Sequence, residues 1–68
     1  MTLDEAWQEA EAALPEGWKL IQLMDDPTGG WAAFAAPTHS GTEVEGNGPT
    51  PAAALHALAE ALRGTTDV

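Results

Sequence analysis

Residues 2–14 place apolar side chains at Leu3, Trp7, Ala10 and Leu14, the recurrence of one buried helical face, while Glu5 and Glu9 fall on the other side. Thr2 and Glu5 have the spacing of a capping box, and Asp4 and Glu5 lie in the first turn, where the helix dipole favours negative charge. Pro15, Glu16 and Gly17 end this helix. The pattern then changes to a period of two. Trp18 to Met24 reads as a strand, with Trp18, Leu20, Gln22 and Met24 on one face and Lys19, Ile21 and Leu23 on the other. Asp25 to Gly30 (DDPTGG) is a dense turn signal. Trp31 to Ala36 is rich in alanine, a helix former, yet it is short, bounded by turns, and carries Trp and Phe, so it reads as a second strand. Pro37 to Gly41 makes the next turn. Thr42 to Glu45 reads as a third strand that buries Val44 and exposes Glu43 and Glu45.

Gly46 to Pro49 reads as a loop. Thr50 then caps a second helix with Pro51 at its first position, where a missing amide hydrogen costs nothing. Ala54, Leu55, Leu58, Ala61 and Leu62 form its buried stripe, and Gly64 stands where a left-handed C-terminal cap would sit, with residues 65–68 as a disordered tail. The expected fold is therefore α+β in the order α-β-β-β-α. A three-stranded antiparallel sheet carries two helices packed on one face, in a single domain over residues 1–64.

Composition restricts what such a domain can do. Of the 68 residues, 14 are alanine, which leaves few side chains able to build a core. A domain near this size buries only about 60% of its unfolded surface, so its stability is expected to be marginal without a partner or a second copy. Eleven acids against two bases, Lys19 and Arg63, give a formal net charge of -9. Nucleic-acid binding depends on Lys and Arg neutralising phosphates, so nucleic acid and anionic membrane surfaces are excluded as partners. A basic protein partner is the kind such a charge would steer inward. No apolar run approaches the roughly 20 residues that span a bilayer, and the acidic start lacks a signal peptide's basic region, so a cytoplasmic protein is expected. With no cysteine, disulfides and thiolate metal sites are ruled out.

Candidate chemistry is sparse. His39 and Ser40 are neighbours in a turn with no third group to orient them, which reads as a polar turn rather than a catalytic pair. The pairs Asp25–Asp26 and Glu43–Glu45 read as solvated carboxylates rather than an acid–base couple in a sheltered pocket. His56 and Glu60 lie four apart on the outer face of the second helix, where they could supply two metal ligands, but zinc sites take three or four and only His39 remains. Asp25 to Gly29 lacks the alternating acids and closing Glu of a calcium loop, and Gly46-Asn47-Gly48 lacks the Lys of a phosphate loop. No enzyme activity, cofactor or metal is expected.

The segment Gly46-Asn47-Gly48-Pro49-Thr50-Pro51-Ala52-Ala53-Ala54-Leu55, together with the element order, resembles the end of a double-stranded-RNA-binding domain. In that family a Gly-x-Gly strand exit leads to a Ser-Lys-Lys-x-Ala-Lys helix start. The resemblance implies the fold. It does not carry the RNA-binding role, because the phosphate-gripping lysines would fall at Pro51, Ala52 and Leu55. Gly48, Thr50, Pro51, Ala54 and Leu55 also resemble the strand-to-helix step of HicB-type antitoxins, without the acids usual after the Thr. The small acidic make-up is similar to accessory or inhibitor proteins of bacterial mobile elements and phages.

Three tryptophans in so short a chain point to a binding surface, since Trp is enriched at interface hot spots. Trp7 reads as core. Trp18 and Trp31 read as a cross-strand pair, placed either in the core or on the sheet face that the helices leave open. The leading expectation is a non-enzymatic module that binds a protein partner or itself through that face, with Trp18 and Trp31 as contacts. The alternative makes the acids a mimic of nucleic acid, inhibiting a DNA- or RNA-binding enzyme in the anti-restriction or anti-CRISPR manner. Glu5, Glu9, Asp25, Asp26, Glu43 and Glu45 would then form one stripe. A HicB-like antitoxin is the third reading.

Overall fold

The computed structural model describes residues 2–39, 41 and 43–66; the expected positions of Ser40 and Thr42 lie outside that set, as do Asp67 and Val68 of the tail. Helix α1 (Leu3–Ala13) begins at Thr2, whose hydroxyl accepts from the Glu5 amide at 3.2 Å while the Glu5 carboxylate accepts from the Thr2 amide at 2.9 Å. The capping box is complete. The chain turns at Gly17, whose φ of 83° lies in the left-handed region that favours glycine. The Gly17 carbonyl accepts from the Thr38 amide at 2.8 Å, which pins this turn to the far end of the second strand.

Strands β1 (Trp18–Asp25), β2 (Trp31–Pro37) and β3 (Val44–Gly48) form an antiparallel meander in that order. The β1–β2 turn is held by Asp26, whose carboxylate accepts from the Thr28 amide at 2.9 Å and the Thr28 hydroxyl at 2.7 Å, while Gly29 takes a φ of 101°. Helix α2 (Pro51–Thr66) starts as expected, with the Thr50 hydroxyl accepting from the Ala53 amide at 3.1 Å. Both helices lie on one face of the sheet. α2 rests directly on β3 and β2, and α1 lies alongside α2. The α-β-β-β-α order and the three-stranded antiparallel sheet are as the pattern of residues predicts.

Four details differ, each for a local reason. First, Gly46-Asn47-Gly48 is strand rather than loop: β3 runs Val44–Gly48 and pairs with β2 from Val44 opposite Ala35 to Gly48 opposite Trp31. Gly46 and Gly48 are there because α2 passes over them at close range. A Cβ on Gly46 would lie 2.5 Å from Leu58 Cα and 2.6 Å from the Ala54 carbonyl oxygen, and one on Gly48 would lie 2.6 Å from Ala53 Cβ. Second, β1 does not keep one period. Leu20 pairs with Ala35 and Gln22 with Phe34, so Ile21 is an extra residue, a bulge that exchanges the two faces partway along the strand. Third, α1 buries Ala6 and Ala10, while Leu3 and Trp7 remain 49% and 40% exposed. The face of α1 that meets α2 is the alanine face, and small side chains allow close packing there. Fourth, Gly64 lies inside α2 rather than capping it, and among the described residues positive φ occurs only at Gly17 and Gly29.

The core is correspondingly lean. Leu55, Leu58 and Leu62 are its largest fully buried side chains, packed with Ala6, Ala10, Ala33, Ala35 and Ala54. All three leucines come from α2, so that helix carries most of the apolar burial, at roughly 1.5–3 kcal/mol for each leucine. Replacing Gly46 by Ala should therefore lower stability by about 1–3 kcal/mol or more, because the added methyl meets backbone that cannot rotate aside. Gly64→Ala, with nothing within 4 Å of its Cβ position, should raise stability by up to about 1 kcal/mol. Urea denaturation of both variants checks this; an unchanged midpoint for Gly46→Ala would contradict the close packing of α2 on β3.

Candidate functional site

The bulge at Ile21 decides which side chains each sheet face presents. Toward the helices, Trp18, Leu20 and Leu23 of β1 line up with Pro37, Ala35 and Ala33 of β2, and Val44 and Gly46 follow from β3. Trp18, Leu20, Leu23, Trp31 and Val44 pack against the core cluster and are half-buried. The opposite face is uncovered by either helix. It presents three rows across the strands: Lys19 and Ala36; Gln22, Phe34 and Glu45; Met24, Ala32 and Asn47.

This placement corrects the expectation for the tryptophans. Trp18 and Trp31 are on the helix side and do not pair with each other: Trp18 lies opposite Pro37, and Trp31 lies between Asp25 and Gly48 at the other end of β2. The apolar side chains left exposed along β1 are instead Ile21 at the bulge, 46% exposed, and Met24, 40% exposed, and the half-buried Phe34 of β2 is on the open face. Ala32 and Ala36 lie low between them. Phe34 was legible from strict alternation in β2, where Ala33 and Ala35 take the opposite side. Met24 was not, because the bulge falls between it and Trp18. Trp7, expected in the core, is exposed on α1, as is Leu3.

The acids do not gather into one stripe. Glu45 sits in the middle row of the open sheet face, and Glu43 lies just before β3. Asp25 and Asp26 are at the β1–β2 turn, and Glu5 is engaged in the α1 cap. Glu9 is drawn to the junction of the two helices, with its side chain only 21% exposed. Its carboxylate meets His56 Nδ1 at 2.8 Å and Arg63 at 3.3 Å, and Glu60 meets Arg63 at 3.3 Å and His56 Nε2 at 3.7 Å. His56 and Glu60 are thus part of an interhelical network rather than a free outer face. Among the described residues, no group of three or more His, Asp or Glu side chains could hold a metal ion. No helix among them is long and apolar enough to cross a membrane.

Three carboxyls are held below their ordinary range, each by hydrogen bonding. For Glu5 the principal cause is the Thr2 amide, for Glu9 the His56 ring with Arg63 adding to it, and for Asp26 the Thr28 amide. These shifts belong to a cap, a helix–helix tie and a turn, which is structural work. A shallow surface groove is lined by Thr50, Ala52, Ala53 and His56. Compared with known protein families, with characterised proteins and with solved structures, the chain matches none.

The Glu9 tie has a defined pH signature. Its folded-state pKa is depressed, so its contribution is present above the ordinary value of 4.5 and is lost as pH falls through the lower folded-state value. Glu9→Gln should therefore lower the melting temperature near neutral pH and flatten the decline on acidification below pH 4.5. Melting curves of the two proteins between neutral pH and acid measure this, and parallel curves would show that the tie contributes nothing.

Proposed function

We propose that this chain is a non-enzymatic protein-interaction module that works through the open face of its sheet. The observation that supports the reading is the character of that face. Met24 and Phe34 are left uncovered on it, although the chain is so short of large side chains that its core is finished with alanine. Uncovered apolar surface on a small domain is typical of a contact site. Polar Gln22 and Asn47 and the charged Lys19 and Glu45 surround the apolar groups, the arrangement of a modest interface with an apolar centre and polar rim.

The resemblance to double-stranded-RNA-binding domains extends in this reading to the element order alone. Leu55, where that family would place a phosphate-gripping lysine, is a core residue at 1% exposure. The nucleic-acid-mimic reading has less behind it, since its six acids are divided among the α1 cap, the interhelical junction, a turn and the open sheet face. The HicB-like reading rests on a short resemblance alone.

The two sheet faces should separate cleanly under mutation. Met24→Glu and Phe34→Glu should keep the helical circular-dichroism signal and abolish retention of binding partners by immobilised protein. Trp31→Ala should instead cost about 1–3 kcal/mol of stability, as half-burial against the core implies, and leave retention intact under folding conditions. Retention that survives both Glu substitutions, or that fails only in Trp31→Ala, would sink the open-face reading.

A further inference from the structure

The open face offers a further inference that rests on the reading above and names its occupant: we propose that a second copy of this chain covers it, in a two-fold arrangement whose axis runs parallel to the strands over Phe34. Charge selects the occupant. The protein carries a formal net charge of -9, so most ways of bringing two copies together set acid against acid. The open face holds one cation, Lys19, against Glu45 and, just before β3, Glu43, so it carries one negative charge of the formal net -9 and opposes a second copy least. The other acids of the described residues lie on the helices, in the turns or, as Asp25, at the end of β1 in the row of Trp31 on the helix side.

Charge also selects the arrangement. A two-fold axis across the strands would stack the middle row on itself and put Glu45 against Glu45. An axis along the strands lays β1 of one copy over β3 of the other. Phe34 then meets Phe34, Gln22 faces Glu45, and Met24 faces Asn47. Lys19 lies one row beyond Gln22, beside Ala36. Glu43, two residues before Glu45, occupies that same end of β3, so Lys19 of each copy comes over Glu43 of the other. Aligned sheets pack about 10 Å apart at roughly 30°, within reach of a lysine side chain. The alanines in rows one and three let Phe34 and Met24 stand proud of the sheet.

On a molecule measuring 30 × 23 × 19 Å, one three-stranded face supplies less than the roughly 800 Å² per partner of a standard stable interface. The association is accordingly weak and concentration-dependent. Its salt response is distinctive: screening relieves repulsion between two highly acidic bodies, so added salt strengthens self-association, whereas it weakens capture of a basic partner.

Sedimentation equilibrium over a hundredfold concentration range, at about 0.05 M and about 0.5 M salt, tests this. The mass should rise from 7.1 kDa toward twice that value, further at the higher salt. Lys19→Glu alone should weaken association severalfold, Glu43→Lys alone should do likewise, and the double variant should recover it. Both residues are exposed, so neither substitution threatens the fold. Met24→Glu should leave a monomer. A monomer at every concentration, or self-association indifferent to Met24→Glu and to the charge exchange, overturns the two-fold pairing. If the protein is monomeric and Met24→Glu still abolishes retention of another protein, the open face keeps its function and only its occupant changes. If Met24→Glu affects neither, both readings fall.

Discussion

Everything in this fold hangs on how closely α2 approaches β3. Helices normally rest on a sheet through a layer of side chains, but here Gly46 and Gly48 remove that layer and the helix backbone descends onto the strand. The descent is what makes a core possible with so little material. Leu55, Leu58 and Leu62 can reach the sheet and be fully buried among alanines, because the gap they must fill is narrow. It also sets the position of α1, which meets α2 through Ala6 and Ala10 and is fastened there by Glu9, His56 and Arg63. A bulkier β3 would lift α2, open the alanine layer to water and unseat α1 in turn.

The second constraint is the bulge. Without Ile21 as an extra residue, β1 would turn Trp18, Leu20, Gln22 and Met24 to one side and leave Leu23 on the other. With it, Trp18, Leu20 and Leu23 all face the helices, and Lys19, Gln22 and Met24 all face away. One inserted residue thus recovers an apolar side chain for a core that has few. It also keeps Lys19 and Gln22 together on the open face. The same bulge increases local twist and, with Lys19 nearby, makes the β1 edge a poor template for adding another strand. Association is therefore directed to the face of the sheet rather than its edge.

The elements that were legible in the sequence are those specified by local chemistry. Thr2 with Glu5, Thr50 with Pro51, and Asp26 with Thr28 and Gly29 each satisfy backbone groups within a few residues, and each appears as written. The order of elements follows from them. What was not legible depends on neighbours distant in the chain. Gly46 and Gly48 look like a loop until α2 lies over them, since a glycine that makes room and a glycine that makes a turn are the same residue. Trp7 looks like core on a helical wheel because its size outweighs that of Ala6. The wheel cannot know that α1 has to meet another helix at close range. His56 and Glu60 look like an outer face until Glu9 arrives from the other helix. For the candidate site, the open sheet face could be inferred from the element order, but its residues could not, because the β1 bulge parts Met24 from the face that alternation would have it share with Trp18.

The distribution of charge ties the structure to its proposed use. Arg63, one of only two strong bases, is placed between Glu9 and Glu60 at the helix junction, where it offsets acids that the fold itself brings together. The other, Lys19, stands on the open sheet face. Had both bases served the helices, the sheet face would hold Glu43 and Glu45 uncompensated and would repel a second copy like the rest of the surface. Had both been on the sheet, Glu9 and Glu60 would face each other across the helices with only His56 between them, and the close packing of α1 on α2 would be opposed electrostatically. Dividing two bases between a junction that must hold and a face that must stay close to neutral resolves both demands, and it leaves the remaining acids where they keep other surfaces of the molecule apart.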